Sequence, residues 1–209
     1  GWRAHSGKWG GGYEGIKNVV PGRGPFVLMT AVNQADFNVS GRIRFGKSVE
    51  HAGILLRATN KGAEDKGYEV YFDATTHELQ LRRHDGDTQT LAKRKLRNSF
   101  GWRDVRVELT GGTLRVWLEG DEAPFLATTD EKPFEGTGHI GVRAWGGAVR
   151  TNELKLHLAK RTLLIDEINP AKSTTGKPIA QAQPGLAKRR ALQDLCSVMF
   201  NISEFIYVD

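Results

Sequence analysis

Between residues 37 and 158, apolar side chains recur at every second position in one short stretch after another. An extended strand presents one face at that spacing, and a helix does not. Within Phe37–Phe45 the period selects Val39, Ile43 and Phe45, and within Ala52–Thr59 it selects Ile54 and Leu56. Tyr68, Val70 and Phe72 share a face, as do Leu79 with Leu81, Val105 with Val107 and Leu109, and Leu114 with Val116 and Leu118. Ile140, Val142 and Ala144, then Leu154, Leu156 and Leu158, complete the series.

Turn chemistry separates the runs. Thr110-Gly111-Gly112-Thr113 has the composition of a hairpin turn, and Thr75-Thr76-His77, His84-Asp85-Gly86-Asp87 and Gly146-Gly147 are further turn clusters. About ten strands with one apolar face each and short connections predict an all-β fold over residues 1–160. Its expected form is two antiparallel sheets packed face to face. The pattern changes at Arg161. Residues 161–185 carry Pro170, Pro178 and Pro184 among polar spacers and read as a linker or a wrap over the sandwich. From residue 186 to 209 the period turns helical, with Leu192, Leu195, Cys196, Met199 and Phe200 at three- and four-residue steps after Pro184-Gly185. This predicts a C-terminal amphipathic helix.

Composition narrows the function classes. With 39% hydrophobic residues the chain can bury a core. The net charge of +6 comes from 30 bases mixed among 24 acids, and the densest basic run, Lys93-Arg94-Lys95, is too short for a phosphate track, so nucleic acid is not an expected partner. Cys196 is the single cysteine, which excludes an internal disulfide and a cysteine-based metal site. No apolar run approaches the length of a transmembrane helix. No signal peptide is visible and the chain starts at Gly1-Trp2, which reads as a mature product or a fragment of something larger.

The same alternation that sends aliphatics inward points a second set of side chains outward. Arg57, Glu69, Tyr71, Arg82, His84, Trp117, Arg143 and Trp145 belong to it. Planar guanidinium and carboxylate groups suit sugar hydroxyls, and an indole or phenol face suits a sugar ring, so these residues are the expected ligand-binding set. Trp117 and Trp145 stand out, because an outward tryptophan is uncommon on a plain solvated sheet. Catalytic residues are not identified. The acids of Glu119-Gly120-Asp121-Glu122 sit in a turn, and Glu69 and Asp73 lie about 13 Å apart along one strand, so neither forms the carboxyl pair of a glycosidase. No nucleophile elbow and no His spacing for a metal are present. No cofactor is expected. Asp85-Gly86-Asp87 is the only candidate for a structural calcium.

Three segments carry a family resemblance. Ala52-Gly53-Ile54-Leu55-Leu56-Arg57 is followed by Gly67-Tyr68-Glu69-Val70-Tyr71-Phe72-Asp73; then comes Trp102-Arg103-Asp104-Val105-Arg106-Val107 with Leu114-Arg115-Val116-Trp117-Leu118-Glu119-Gly120; and Gly138-His139-Ile140-Gly141-Val142-Arg143-Ala144-Trp145 closes the set. Over roughly residues 9 to 158 the order resembles concanavalin A-like (laminin G/glucanase) jelly-roll sandwiches. Within these it is similar to levan-type carbohydrate-binding modules, to the accessory domain of invertase-like glycosidases and to the 3-keto-disaccharide hydrolase group. The resemblance implies that Arg57 and Glu69 meet on one face. The ending Asn201-Ile202-Ser203-Glu204-Phe205-Ile206-Tyr207 resembles the C-terminus of large exported planctomycete proteins that carry a cytochrome c-like domain. That implies a bacterial chain from the exterior, periplasm or cell surface, with neighbouring domains as partners. No haem-attachment motif lies in this piece.

The expected function is therefore a non-catalytic carbohydrate-binding module that targets a larger exported protein to polysaccharide. The alternatives are a glycoside hydrolase or lyase of the 3-keto-disaccharide type, with Glu69 and His84 as a reactive pair, and a structural protein-interaction module.

Overall fold

The computed structural model describes residues 2–12, 15–18, 22–45, 49–61, 64–97 and 101–165. Among these residues fifteen strands build two antiparallel sheets, and there is no helix. One sheet has seven strands, in spatial order β1 (Trp2–Ala4), β4 (Arg23–Gln34), β13 (Gly138–Trp145), β6 (His51–Lys61), β7 (Glu64–Asp73), β8 (Glu78–Asp85) and β9 (Asp87–Lys95). The other has eight: β12 (Leu126–Thr129), β11 (Thr113–Leu118), β10 (Gly101–Thr110), β5 (Phe37–Phe45), β14 (Val149–Leu158), β3 (Gly15–Asn18) and β2 (Trp9–Gly12), with β15 (Arg161–Leu164) alongside β14. The chain changes sheet between β1 and β2, β3 and β4, β4 and β5, β5 and β6, β9 and β10, β12 and β13, and β13 and β14, which is the jelly-roll pattern of crossing.

The core lies between the sheets and is built as the alternation predicts. Tyr68, Val70 and Phe72 of β7 and Leu79 and Leu81 of β8 face Val105, Val107 and Leu109 of β10 and Leu114, Val116 and Leu118 of β11, all buried in one cluster. Each such side chain contributes roughly 1.5–3 kcal/mol by leaving water. The strands the period does not reveal have a physical reason to be hidden. In β4, Val27 enters the core while Phe26 and Leu28 form a small second cluster with Leu55 and Ala58 on the outer face, so both faces are apolar and no alternation appears. β9 is an edge strand whose only apolar residues, Leu91 and Ala92, are adjacent, so no alternation appears; Leu91 packs against the core and the strand ends in lysine and arginine, as an exposed edge requires.

The sandwich runs past the expected boundary. Arg161–Leu164, assigned from sequence to the linker, pair with Lys155–Leu158 as β15, because this edge of β14 is free to accept another strand. Ile165 is buried behind it, and its carbonyl accepts the indole N–H of Trp2, tying the two ends of the sandwich together. The rest of the expected linker and the expected helix over 186–209 lie outside the described residues.

Candidate functional site

Strand register brings most of the expected set into one place. Glu69 stands opposite Leu55 of β6 and Arg82 of β8, Tyr71 opposite Gly53 and Gln80, and Asp73 opposite His51 and Glu78. Arg143 of β13 is paired with Gly53, and Trp145 with His51. One outer face of the seven-stranded sheet therefore collects His51, Glu69, Tyr71, Arg82, His84, Arg143 and Trp145. With Glu50 and with Thr88 of β9 they line an open groove of about 400 Å³.

Glu69 is the centre of the floor. Its side chain is 1% exposed, with Oε2 2.8 Å from His84 Nε2 and 3.9 Å from Arg143 Nη1. It lies over Gly53, where a Cβ would come within 2.0 Å of Oε1. The absence of a side chain at residue 53 is thus what lets the carboxylate reach across β6 towards β13. Burial opposes its ionisation, but the His84 hydrogen bond and the charges of Arg143, His84 and Arg82 outweigh that effect and hold the carboxyl below its ordinary range. An ionised Glu69 only accepts, so His84 Nε2 donates to it; Nδ1, 3.0 Å from Thr88 Oγ1, accepts from that hydroxyl in the neutral ring. Oε1 of Glu69 is buried and has no hydrogen-bond partner among the described residues. A buried acceptor left in that state is costly unless a donor arrives from the groove.

The aromatic side of the groove is a stack. The Arg82 guanidinium lies 3.3 Å from the Tyr71 ring centroid, and the His51 ring stacks on Tyr71 at 5.1 Å. These neighbours bury Tyr71, and burial pushes its hydroxyl up to about 12. Tyr71 is therefore part of the wall and not the open stacking platform the sequence suggested. Trp145 is only part-buried; its indole meets His51 edge-on at 6.4 Å and its six-membered ring rests beside Gly24. It is the groove aromatic with ring surface to offer. His51 Nδ1 lies 3.4 Å from Asp73 Oδ1 without hydrogen-bond geometry. Burial opposes ionisation of Asp73, yet the Thr76 and Thr75 amides and the charge of His51 hold it below its ordinary range.

Two expected residues lie elsewhere. Arg57 does not meet Glu69. It occupies a β-bulge between Leu56 and Thr59, with φ of 51°, so the alternation breaks at this residue. The side chain, 4% exposed, turns to the end of the sandwich and donates to the carbonyls of Ala35 (2.7 Å), Phe134 (2.6 Å) and Gly111 (2.8 Å). Gly67 and Gly138 flank the bulge because a Cβ at either would strike its backbone. Trp117 belongs to β11, in the other sheet, and its ring is covered by the Arg106 guanidinium at 3.8 Å, so it shares no site with Trp145. In the calcium candidate, Asp85 is engaged by Lys66 at 2.8 Å and Arg83 at 3.1 Å. Among the described residues no group of three or more His, Cys, Asp or Glu is placed to hold a metal ion. No helix among them is long and apolar enough to cross a membrane.

Glu50, His51 and Thr88 are groove residues that the expected set omits. His51 was within reach, since it continues the outward series of Gly53 and Leu55 by two residues. Thr88 was not, because β9 shows no alternation.

A solved structure of carbohydrate binding module CBM66 from Bacillus subtilis matches with a TM-score of 0.63 at 19% identity, over 76% of this chain and 96% of its own. The VIP36 exoplasmic/lumenal domain, in a Ca2+/Man3GlcNAc-bound form, matches with 0.58 at 11% identity, over 82% and 86%. A Bacillus subtilis protein described as having a galectin-like fold matches with 0.55 at 11% identity, over 75% and 88%. At such identities the likeness is one of fold, a concanavalin A-like sandwich. None of the curated proteins matches the chain. The model of the 3-keto-alpha-glucoside-1,2-lyase-like domain matches residues 1–157, well over half of the sequence, and the chain belongs to that family.

Proposed function

We propose that the groove on the seven-stranded sheet binds one ring of a carbohydrate, and that recognition is its task. The observation that carries this reading is Glu69: a buried, ionised acceptor with one oxygen held by His84 and the other waiting for a donor, beside Arg143 and a part-exposed Trp145. A sugar hydroxyl is such a donor, and the indole suits the apolar face of the ring. The family's name and the CBM66 likeness support the same ligand class. Both ring nitrogens of His84 are engaged and Glu69 is held as a weak base, which favours binding over proton transfer by that pair. In a larger exported protein such a module would serve as a polysaccharide anchor, with affinity in the roughly micromolar to millimolar range of an open polar site. The test is a glycan array with levan oligosaccharides and α-glucosides, read with wild type, Trp145→Ala and Arg143→Ala. Neutral sugars retained by wild type and lost by both variants support the reading; retention by both variants overturns it.

One observation favours a second reading. His51 faces the groove with Asp73 Oδ1 3.4 Å from its Nδ1, a negative charge that favours the cationic ring formed when the other nitrogen takes a proton. In a 1,2-elimination on a 3-keto-α-glucoside it would remove the C2 proton, made acidic by the ketone; the C2–H electron pair forms the C1=C2 bond as the C1–O bond breaks, and the aglycone oxygen takes a proton from water in the open groove. Turnover of 3-keto-α-glucosides by wild type and its loss in His51→Ala would establish it; no turnover by wild type removes it.

A further inference from the structure

The outer face of the eight-stranded sheet, on the opposite side of the sandwich, has its own groove of about 320 Å³. Register places Arg106 of β10 and Lys155 of β14 on either side of Ser40 of β5, with Trp117 of β11 next to Arg106 in the same row. Strands lie about 4.8 Å apart, so the two cations rise from backbones about 10 Å apart with a small residue as the floor between them. Arg106 has its guanidinium fixed 3.8 Å over the Trp117 ring, and among the described residues no carboxylate pairs with it. Its neighbours Arg42 and Lys155, by contrast, lie 3.0 Å from Asp104 and 3.4 Å from Glu153. Trp117 is 8% exposed, and its indole N–H, in the same groove, has no hydrogen-bond partner among the described residues.

The chemistry selects the ligand. Because the guanidinium covers the indole face, a neutral sugar cannot stack there. What the groove presents is a rigid planar cation with free edge donors, backed by a buried indole N–H without a partner and faced by a lysine shared with Glu153, a set that matches a carboxylate. Asp104, Asp121 and Glu153 line the same groove. They accept hydroxyl donors and repel a densely charged polymer, which points to one charge per sugar ring.

We infer that this groove is a second ligand site that binds a uronate ring of an acidic polysaccharide. It is independent of the groove on the seven-stranded sheet. The test is isothermal titration of the full chain with sodium polygalacturonate, neutral dextran, dextran sulfate and a single-stranded oligothymidylate, repeated with Arg106→Gln, Lys155→Gln and Trp145→Ala. Polygalacturonate should bind, about tenfold more weakly to each of the first two variants, the effect of one charge-assisted contact. Trp145→Ala, in the other groove, should leave this binding unchanged. Absence of binding, wild-type affinity in either the Arg106 or the Lys155 variant, or a preference for dextran sulfate, the oligonucleotide or neutral dextran would each overturn the assignment. Circular dichroism of both exposed-residue variants checks that they are folded.

Discussion

Gly53 decides what the floor of the sugar groove can be. Any side chain there collides with Glu69 Oε1, Cδ and Cγ, all within 2.8 Å of the added Cβ, and pushes the carboxylate off its position between His84 and Arg143. Gly53→Ala should therefore reduce sugar affinity at least tenfold, with a stability loss of about 1–3 kcal/mol from overpacking, measured by titration and urea unfolding. Glu69 also carries a pH signature. Its folded value is depressed, so its contribution to stability is complete above the ordinary glutamate value of 4.5 and drains away as pH falls through the lower folded value. Urea unfolding followed downward from neutral pH should show stability falling below about pH 4.5, with a shallower fall in Glu69→Gln, which cannot titrate; identical slopes would count against the buried ionised state. That Glu69, Arg82, His84, Arg143 and Trp145 each point outward was legible in the alternation around them; that they share one sheet was not, since it rests on the pairing of distant strands. That Tyr71 is a wall and not a platform was not legible, since its covering by Arg82 and His51 depends on three strands at once.

At the scale of elements, the bulge in β6 explains why Arg57 leaves the sheet face. A single inserted position between Leu56 and Thr59 redirects Arg57 from the sheet face to the end of the sandwich, where it joins three loops through their carbonyls. Nothing in a two-residue period announces such an insertion, although Gly67 and Gly138, both required by the crowded backbone there, are its trace in the sequence. Arg57→Ala should cost about 3 kcal/mol in chemical unfolding, because it strands carbonyls that a charged donor satisfied. Sugar affinity of the folded variant should stay within twofold of wild type. A large affinity loss without a stability loss would place Arg57 back in the groove. The edges tell a similar story: β15 joins through a free edge of β14, and β9 is an edge whose polar residues conceal it from periodicity.

For the whole molecule, two packed sheets make one core and two outer faces, and the faces differ in chemistry. The seven-stranded sheet carries a buried carboxylate ringed by arginine, histidine and tryptophan, whereas the eight-stranded sheet carries arginines laid on indoles. Alternation specified the sandwich and the outward residues of both sheets, but sheet membership, which separates Trp117 from Trp145, comes only from the pairing of distant strands. The most direct measurement is an amide NMR titration of the full chain with levan oligosaccharides and with a neutral α-glucoside. Saturable shifts should cluster at Gly53, Glu69, His84, Arg143 and Trp145. Saturable shifts confined to the eight-stranded sheet, or none with either neutral sugar, would contradict sugar recognition by this groove.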